Sequence, residues 1–245
     1  MTIEAQVTAT DEDGVSTNIV ILAAGVGSRL GKPHPKPLTP LASGETILGR
    51  SLRLLTSRFS RHSIHLVVGF KKEVIMEEVP DVGFIYNQAY GDTNTSKSLL
   101  KALTILGPGG VLWLNGDVVF DPRVLDALLP HIAMDRSFIS VNTASVAEEE
   151  IKYTLGPDGY IRRLSKEVSD GALGEAVGVN YVSSGDRAIL AKRLAEVGDQ
   201  DYFERGIELA IEKDGVHFEA IDISAHDVIE IDFAEDLTEA NRRFR

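Results

Sequence analysis

Apolar and polar positions along this chain follow two alternating periods. Asn18–Ala24 (NIVILAA) is a continuous apolar run of strand length, the pattern of a strand covered on both faces. Thr46–Phe59 carries apolar residues at helical spacing. Ser63–Phe70 reads as a second strand, Lys71–Val79 as a short helix and Gly83–Tyr86 as a third strand. Thr95–Leu106 is amphipathic and helical, with Pro108 and Gly109 as stop signals. Val111–Leu114 is a fourth strand ending at Asn115-Gly116-Asp117, after which Asp121 and Pro122 cap a helix through Leu129. This β-α alternation predicts a mostly parallel sheet with helices on both faces.

The pattern changes near Ser137. Ser137–Asn142, Lys152–Leu155, Tyr160–Leu164 and Ala176–Ser183 read as strands, with the turn signal Gly156-Pro157-Asp158-Gly159 between the second and third. Helices follow at Arg187–Val197 and Tyr202–Lys213, then strands at Val216–Ile223 and Val228–Ile231 and a closing helix at Glu235–Phe244. The expected fold is α/β: a Rossmann-like, mostly parallel sheet with helices on both faces plus a small antiparallel lid. Residues 18–245 are expected to form a single domain behind a flexible N-terminal tail, residues 1–17.

Composition narrows the function. With 43% hydrophobic and 25% charged residues in 245, the chain can bury a large core. No stretch approaches the roughly 20 apolar residues of a membrane helix, so no membrane insertion is expected. The polar, acidic start does not read as a signal peptide. The absence of cysteine excludes disulfides, thiolate nucleophiles and cysteine-based zinc sites, and fits the reducing cytoplasm, the expected location. A net charge of −12 without a basic run argues against nucleic acid as a partner. Any phosphate site must therefore be built locally, against an unfavourable global field. Self-association is left open.

The most informative segment is Leu22-Ala23-Ala24-Gly25-Val26-Gly27-Ser28-Arg29-Leu30, a glycine-rich turn after a buried strand whose backbone N–H groups can cradle phosphate. A dinucleotide fingerprint would need glycine where Leu30 stands. A Walker A loop would need Ser or Thr after Gly31-Lys32, where Pro33 stands. A third reading uses the basic groups Arg29, Lys32 and Lys36, held on a stretch where Pro33, Pro35, Pro37 and Pro40 forbid a regular helix. Such a loop can fold back over a triphosphate.

Asp117 ends an apolar strand, where parallel sheets bind ligands. Asp232 lies between the strand ending at Ile231 and the final helix. Two convergent carboxylates can hold Mg²⁺, a hard cation that keeps waters and phosphate oxygens. Helix capping is the bland alternative for Asp232, and capping is the expected role of Asp121.

LAAGVGSRL followed by Pro35-Lys36-Pro37-Leu38 resembles the signature of the sugar-phosphate nucleotidyltransferases and their related cytidylyltransferases. The resemblance extends over nearly all of Asn18–Phe244 and is specific chiefly at this loop. It implies that the loop, Leu22 to Arg29, wraps the phosphates of a nucleoside triphosphate, with Gly25, Gly27, Ser28, Arg29 and Lys36 in direct reach. Arg29 and Lys36 would neutralise charge as pyrophosphate leaves. It assigns Asp117 and Asp232 as ligands of the cofactor Mg²⁺, with Asp117 also at the nucleotide. It gives Lys166, in Arg163-Leu164-Ser165-Lys166-Glu167, the phosphate of a small phosphorylated acceptor. Glu175, in a Gly-Glu segment, would contact the same acceptor, with Lys152 a lesser candidate. The reaction needs no protein nucleophile, because the acceptor phosphate attacks the α-phosphorus in line and pyrophosphate leaves.

The segment Tyr86-Asn87-Gln88-Ala89-Tyr90-Gly91-Asp92-Thr93-Asn94 resembles the branch that uses CTP, which includes phosphocholine, 2-aminoethylphosphonate and inositol-phosphate cytidylyltransferases. Asparagine can read a cytosine edge, so Asn87, Thr93, Asn94 and Ser98 are expected at the nucleotide. Tyr90, Tyr153, Tyr181 and Tyr202 are available for an aromatic cage around a quaternary ammonium. Two other readings stay open: a sugar-1-phosphate nucleotidyltransferase using UTP, GTP, dTTP or ATP, and a non-catalytic nucleotide-binding regulatory domain.

Overall fold

Alternation within the first strand decides the architecture. In β1 (Asn18–Ala23), Ile19, Ile21 and Ala23 face one apolar layer, while Val20 and Leu22 face another. A strand with both faces buried must lie inside a sheet covered on both sides. The computed structural model describes residues 17–27, 30–31, 33–144 and 150–244. Residues 1–16 of the expected tail fall outside these.

The remaining elements are α1 (Ile47–Thr56), β2 (Ile64–Val68), α2 (Lys72–Glu78), β3 (Gly83–Tyr86), α3 (Thr95–Ile105), β4 (Val111–Asn115), β5 (Val118–Phe120) and α4 (Pro122–Ala133). They continue with β6 (Phe138–Asn142), β7 (Lys152–Leu155), β8 (Ile161–Ser165), β9 (Glu175–Val182), α5 (Arg187–Glu196), α6 (Phe203–Asp214), β10 (Glu219–Asp222), β11 (Val228–Glu230) and α7 (Ala234–Arg243). The main sheet runs β10-β6-β9-β4-β1-β2-β3. β9 is antiparallel to both β4 and β6, and the other neighbours are parallel, so six of these seven strands point the same way. The expected α/β fold is thus present. The β7–β8 hairpin, joined to the sheet where Lys152 pairs with Glu175, is the antiparallel addition.

α1, α2 and α4 cover one face through Leu48, Leu52, Leu55, Ile75, Val124 and Leu128. α3, α5 and α6 cover the other through Leu99, Leu103, Leu190, Leu194, Phe203 and Ile207, with the fully buried Trp113 among them. Each such side chain contributes about 1.5–3 kcal/mol when taken out of water. Among the described residues no helix is long and apolar enough to cross a membrane.

Two elements depart from the sequence pattern. β5 has only three residues and pairs antiparallel with β11, forming a separate two-stranded sheet that carries α7. Its brevity hid it. α4 continues to Ala133 past Pro130, which lies in the last turn and forfeits a single backbone donor there.

β1 has β2 on one side and β4 on the other, so the connections leaving β1 and β4 diverge. This opens a crevice at their carboxyl ends, where sheets of this kind bind ligands.

Candidate active site

The turn after β1 is pinned at both sides. The Gly116 amide donates to the Leu22 carbonyl at 2.9 Å, and the Phe70 amide to the Ala24 carbonyl at 3.0 Å. Gly27 has φ +61°, and a Cβ there would lie 2.7 Å from Cβ of Lys36. Only glycine permits this approach, so the turn rests on the stem of the lysine. Pro35, Pro37 and the short 3₁₀ turn Lys36–Leu38 hold the other side. The prolines thus leave room for a single tight turn rather than a fully extended loop.

The Lys36 ammonium donates to Asp117 Oδ2 and to Asp232 Oδ1, each at 2.6 Å. Its side chain is 10% exposed. Burial disfavours its charge, but the two carboxylates outweigh that and hold its pKa above the ordinary lysine value. Asp117 stands just beyond β4. Asp232 stands one residue before Phe233, the N-cap position of α7, and the Asp236 carboxylate in the first turn reaches back to accept the amides of Asp232 and Phe233 at 2.9 and 2.7 Å. Asp232 is therefore not the cap, and its carboxylate meets Lys36 instead. Asp121 does cap α4, accepting the Arg123 amide at 2.8 Å, and the paired Arg123 guanidinium holds its carboxyl at about 2. Asp117 Oδ1 is buried without a hydrogen-bond partner. Two carboxylates that converge on one cation, with an unsatisfied oxygen beside them, fit a hard divalent ion.

Lys36, Asp117 and Asp232 line a cavity of about 660 Å³ together with Glu150, Lys166, Tyr202, Glu204 and Glu230. Burial pushes the Glu204 carboxyl up to about 7, with Glu150 adding to the shift and Lys166 opposing it, and Glu204 Oε2 has no hydrogen-bond partner. Burial, then the charges of Asp117, Glu150 and Glu204, raise Glu230 well above the carboxylate range, although the Gly178 amide donates to it at 2.9 Å. A Cβ at Gly178 would lie 2.6 Å from Glu230 Oε1, so this glycine makes room for the carboxylate. Burial and Glu175 raise Glu150. The Lys166 ammonium sits 5.3 Å from the centre of the Tyr202 ring, within range of a cation–π contact. Among the described lining residues six are acids (Asp117, Glu150, Glu204, Glu230, Asp232, Asp236) and two are lysines. Such a cavity demands added positive charge before it can hold phosphates.

The sequence-predicted residues separate into three groups. Leu22, Ala23, Gly25, Gly27, Lys36, Asn94, Asp117, Lys166 and Asp232 line this cavity. Ser28, Arg29 and Lys32 lie outside the described residues. Ala24, Asn87, Thr93, Ser98, Lys152 and Glu175 are not among the lining residues. Asn87 is 1% exposed, and its Nδ2 donates to Thr93 Oγ1 and Ser98 Oγ, both at 3.1 Å, while its Oδ1 accepts the Ala89 amide at 3.2 Å. This network ties the loop to α3, so the side chain serves the loop's shape. Asn94 caps α3 by accepting the Thr95 amide at 2.8 Å. Lys152 and Glu175 face each other across the β7–β9 pairing. Of the four tyrosines, Tyr202 alone lines this cavity: Tyr153 and Tyr181 are buried in the core, and Tyr90 packs on Phe70.

Residues 19–198 match the MobA-like NTP transferase domain. The CMP-5'-(3-aminopropyl)phosphonate synthase of Streptomyces rubellomurinus is 38% identical over 125 residues, 47% of this chain and 19% of that protein. The 2-aminoethylphosphonate cytidylyltransferase of Lancefieldella rimae is 31% identical over 225 residues, 86% of this chain and 85% of that protein. The CTP:phosphocholine cytidylyltransferase from Streptococcus pneumoniae shares the fold at a TM-score of 0.71 and 16% identity, over 94% of this chain and 99% of that one. With the glycine turn, Lys36 and two aspartates gathered at the carboxyl ends of β1 and β4, the chain belongs to the MobA-like NTP transferase family and is a nucleotidyltransferase.

Proposed function

We propose that this enzyme transfers a cytidylyl group from CTP, with Mg²⁺, to a small phosphonate or phosphate that carries a cationic amine, and releases pyrophosphate. The observation that supports it best is that one cavity holds the Lys36, Asp117 and Asp232 set beside the glycine turn together with three glutamates of raised pKa and Tyr202. Two relatives whose names specify aminoalkylphosphonates add to it.

In this reading the turn from Ala23 to Gly27 offers backbone amides to the triphosphate. Asp117 and Asp232 hold the metal, which polarises and orients phosphate oxygens when bound. Lys36, with Arg29 on the same loop, offsets the charge that grows on the leaving pyrophosphate. Lys166 holds the acceptor's phosphonate so that its oxygen meets the α-phosphorus in line. The α-phosphorus bond to the bridging oxygen breaks, and pyrophosphate departs with that electron pair. Glu150, Glu204 and Glu230 hold the amine, with the Tyr202 ring beside it. A cation there repays the cost of ionising desolvated carboxyls.

Pyrophosphate release tests the proposal, with CTP, UTP, GTP, dTTP and ATP each paired with 2-aminoethylphosphonate, phosphocholine, inositol 1-phosphate and hexose 1-phosphates. Turnover with CTP and an amine-bearing acceptor is expected. Turnover confined to a hexose phosphate and another nucleotide would overturn it.

A further inference from the structure

Lys36 bonds to both aspartates through Asp117 Oδ2 and Asp232 Oδ1. An ion coordinated by those same oxygens competes with the ammonium for the same space. The base of the lysine is fixed where its Cβ abuts Gly27 and its backbone lies between Pro35 and Pro37. Movement is therefore left to the outer bonds of the side chain, and Gly25 and Gly27 of the turn line the same cavity. Against these two carboxylates the ammonium supplies one positive charge, whereas a divalent ion supplies two. Releasing the ammonium with no new anion would leave a largely buried charge unpaired, which is costly. A triphosphate on the glycine turn supplies that anion.

We propose that Lys36 is an exchangeable counter-ion: its ammonium and the divalent metal alternate between Asp117 and Asp232, and Lys36 suppresses metal binding until a triphosphate receives it. The proposal rests on Asp117 and Asp232 being the metal ligands. It gives Lys36 a positioning role before any chemistry, and it makes metal and nucleotide binding cooperative without a change of fold.

The test is Mn²⁺ binding to the full chain without nucleotide, followed by electron paramagnetic resonance of the free ion. Lys36→Met is expected to bind Mn²⁺ at least about tenfold more tightly than the wild type, a gain of about 1.4 kcal/mol. Lys36→Arg keeps the charge and is expected to stay near the wild type. Equal or weaker binding by a folded Lys36→Met protein would overturn the exchange. Asp117→Asn/Asp232→Asn identifies which idea has failed: Mn²⁺ retained at wild-type affinity would overturn the metal site itself. A second measurement needs no variant. Brief acetylation of the wild type, read by peptide mass spectrometry, should modify Lys36 several-fold faster in saturating Mg²⁺ while the exposed Lys192, which does not line the cavity, is unchanged. A Lys36 rate unmoved by Mg²⁺ would also overturn the proposal.

Discussion

Two sets of acids in the cavity meet different electrostatic problems. The two aspartates share one ammonium, which bonds each of them at 2.6 Å. Of the three glutamates, Glu150 and Glu204 feel the charge of Lys166 while Glu230 feels that of Asp117, Glu204 keeps an unpartnered oxygen, and burial raises all three carboxyls. The aspartate set is poised to exchange one cation for another. The glutamate set is short of a cation. An acidic protein can bind two anionic substrates in this way when each phosphate group arrives with, or is met by, positive charge from elsewhere.

The largest effects belong to the lysine-and-aspartate set. Asp117→Asn is expected to lower kcat by about 10³-fold with the fold intact by circular dichroism, because electrostatic stabilisation of the transition state is lost. Near-normal turnover would remove Asp117 from the metal site. Lys166→Ala should act on one substrate only, raising the KM for acceptor by about 10–100-fold, as expected for loss of a charge-assisted contact. An equal rise in the KM for CTP would dissolve the distinction between the two sets.

Glu204→Gln acts on the glutamate set alone. It should raise the KM for an amine-bearing acceptor by about tenfold, equivalent to one charge-assisted hydrogen bond, and leave an amine-free acceptor unaffected. The pH dependence has a definite sign. An amine prefers the ionised carboxylate, and Glu204 ionises near 7, so acceptor KM should fall as pH rises through about 7, and the Gln variant should flatten this step. Stability runs the other way. The folded protein keeps a proton that the unfolded chain loses near 4.5, so this residue's contribution declines as pH rises from there to about 7. Above that range Glu204→Gln should be more stable by on the order of 1–3 kcal/mol, read as a higher Tm; a lower Tm at pH 8 would contradict it. The smallest effect is Tyr202→Leu, which should weaken the amine-bearing acceptor by about 2–5-fold, the value of an exposed cation–π contact.

Legibility in the sequence follows the same division. The glycine turn, Lys36 and Asp117 are written locally, because a buried apolar strand, glycines and prolines constrain the backbone around them. Asp232 became distinct from a helix cap only when Phe233 proved to hold the N-cap position, with Asp236 reaching back to its amide. The glutamate set was not legible. Glu150, Glu204 and Glu230 come from segments far apart in the chain, and nothing local marks a carboxylate that tertiary packing will bury. A weak signal existed in Val228-Ile229-Glu230, where a glutamate ends a strand immediately before the aspartate motif. Asn87 shows how one residue type carries two readings. An asparagine ready for a base and one that ties a loop together have the same local sequence, and the buried contacts with Thr93 and Ser98 give this one a part in the loop.

The most direct test compares two acceptors that differ only in the cation. Pyrophosphate release from CTP should be measured with 2-aminoethylphosphonate and with ethylphosphonate. A preference in kcat/KM of at least about tenfold for the amine, the value of one charge-assisted contact, is the expected result. Equal use of both acceptors would contradict the assignment of the three glutamates to the amine.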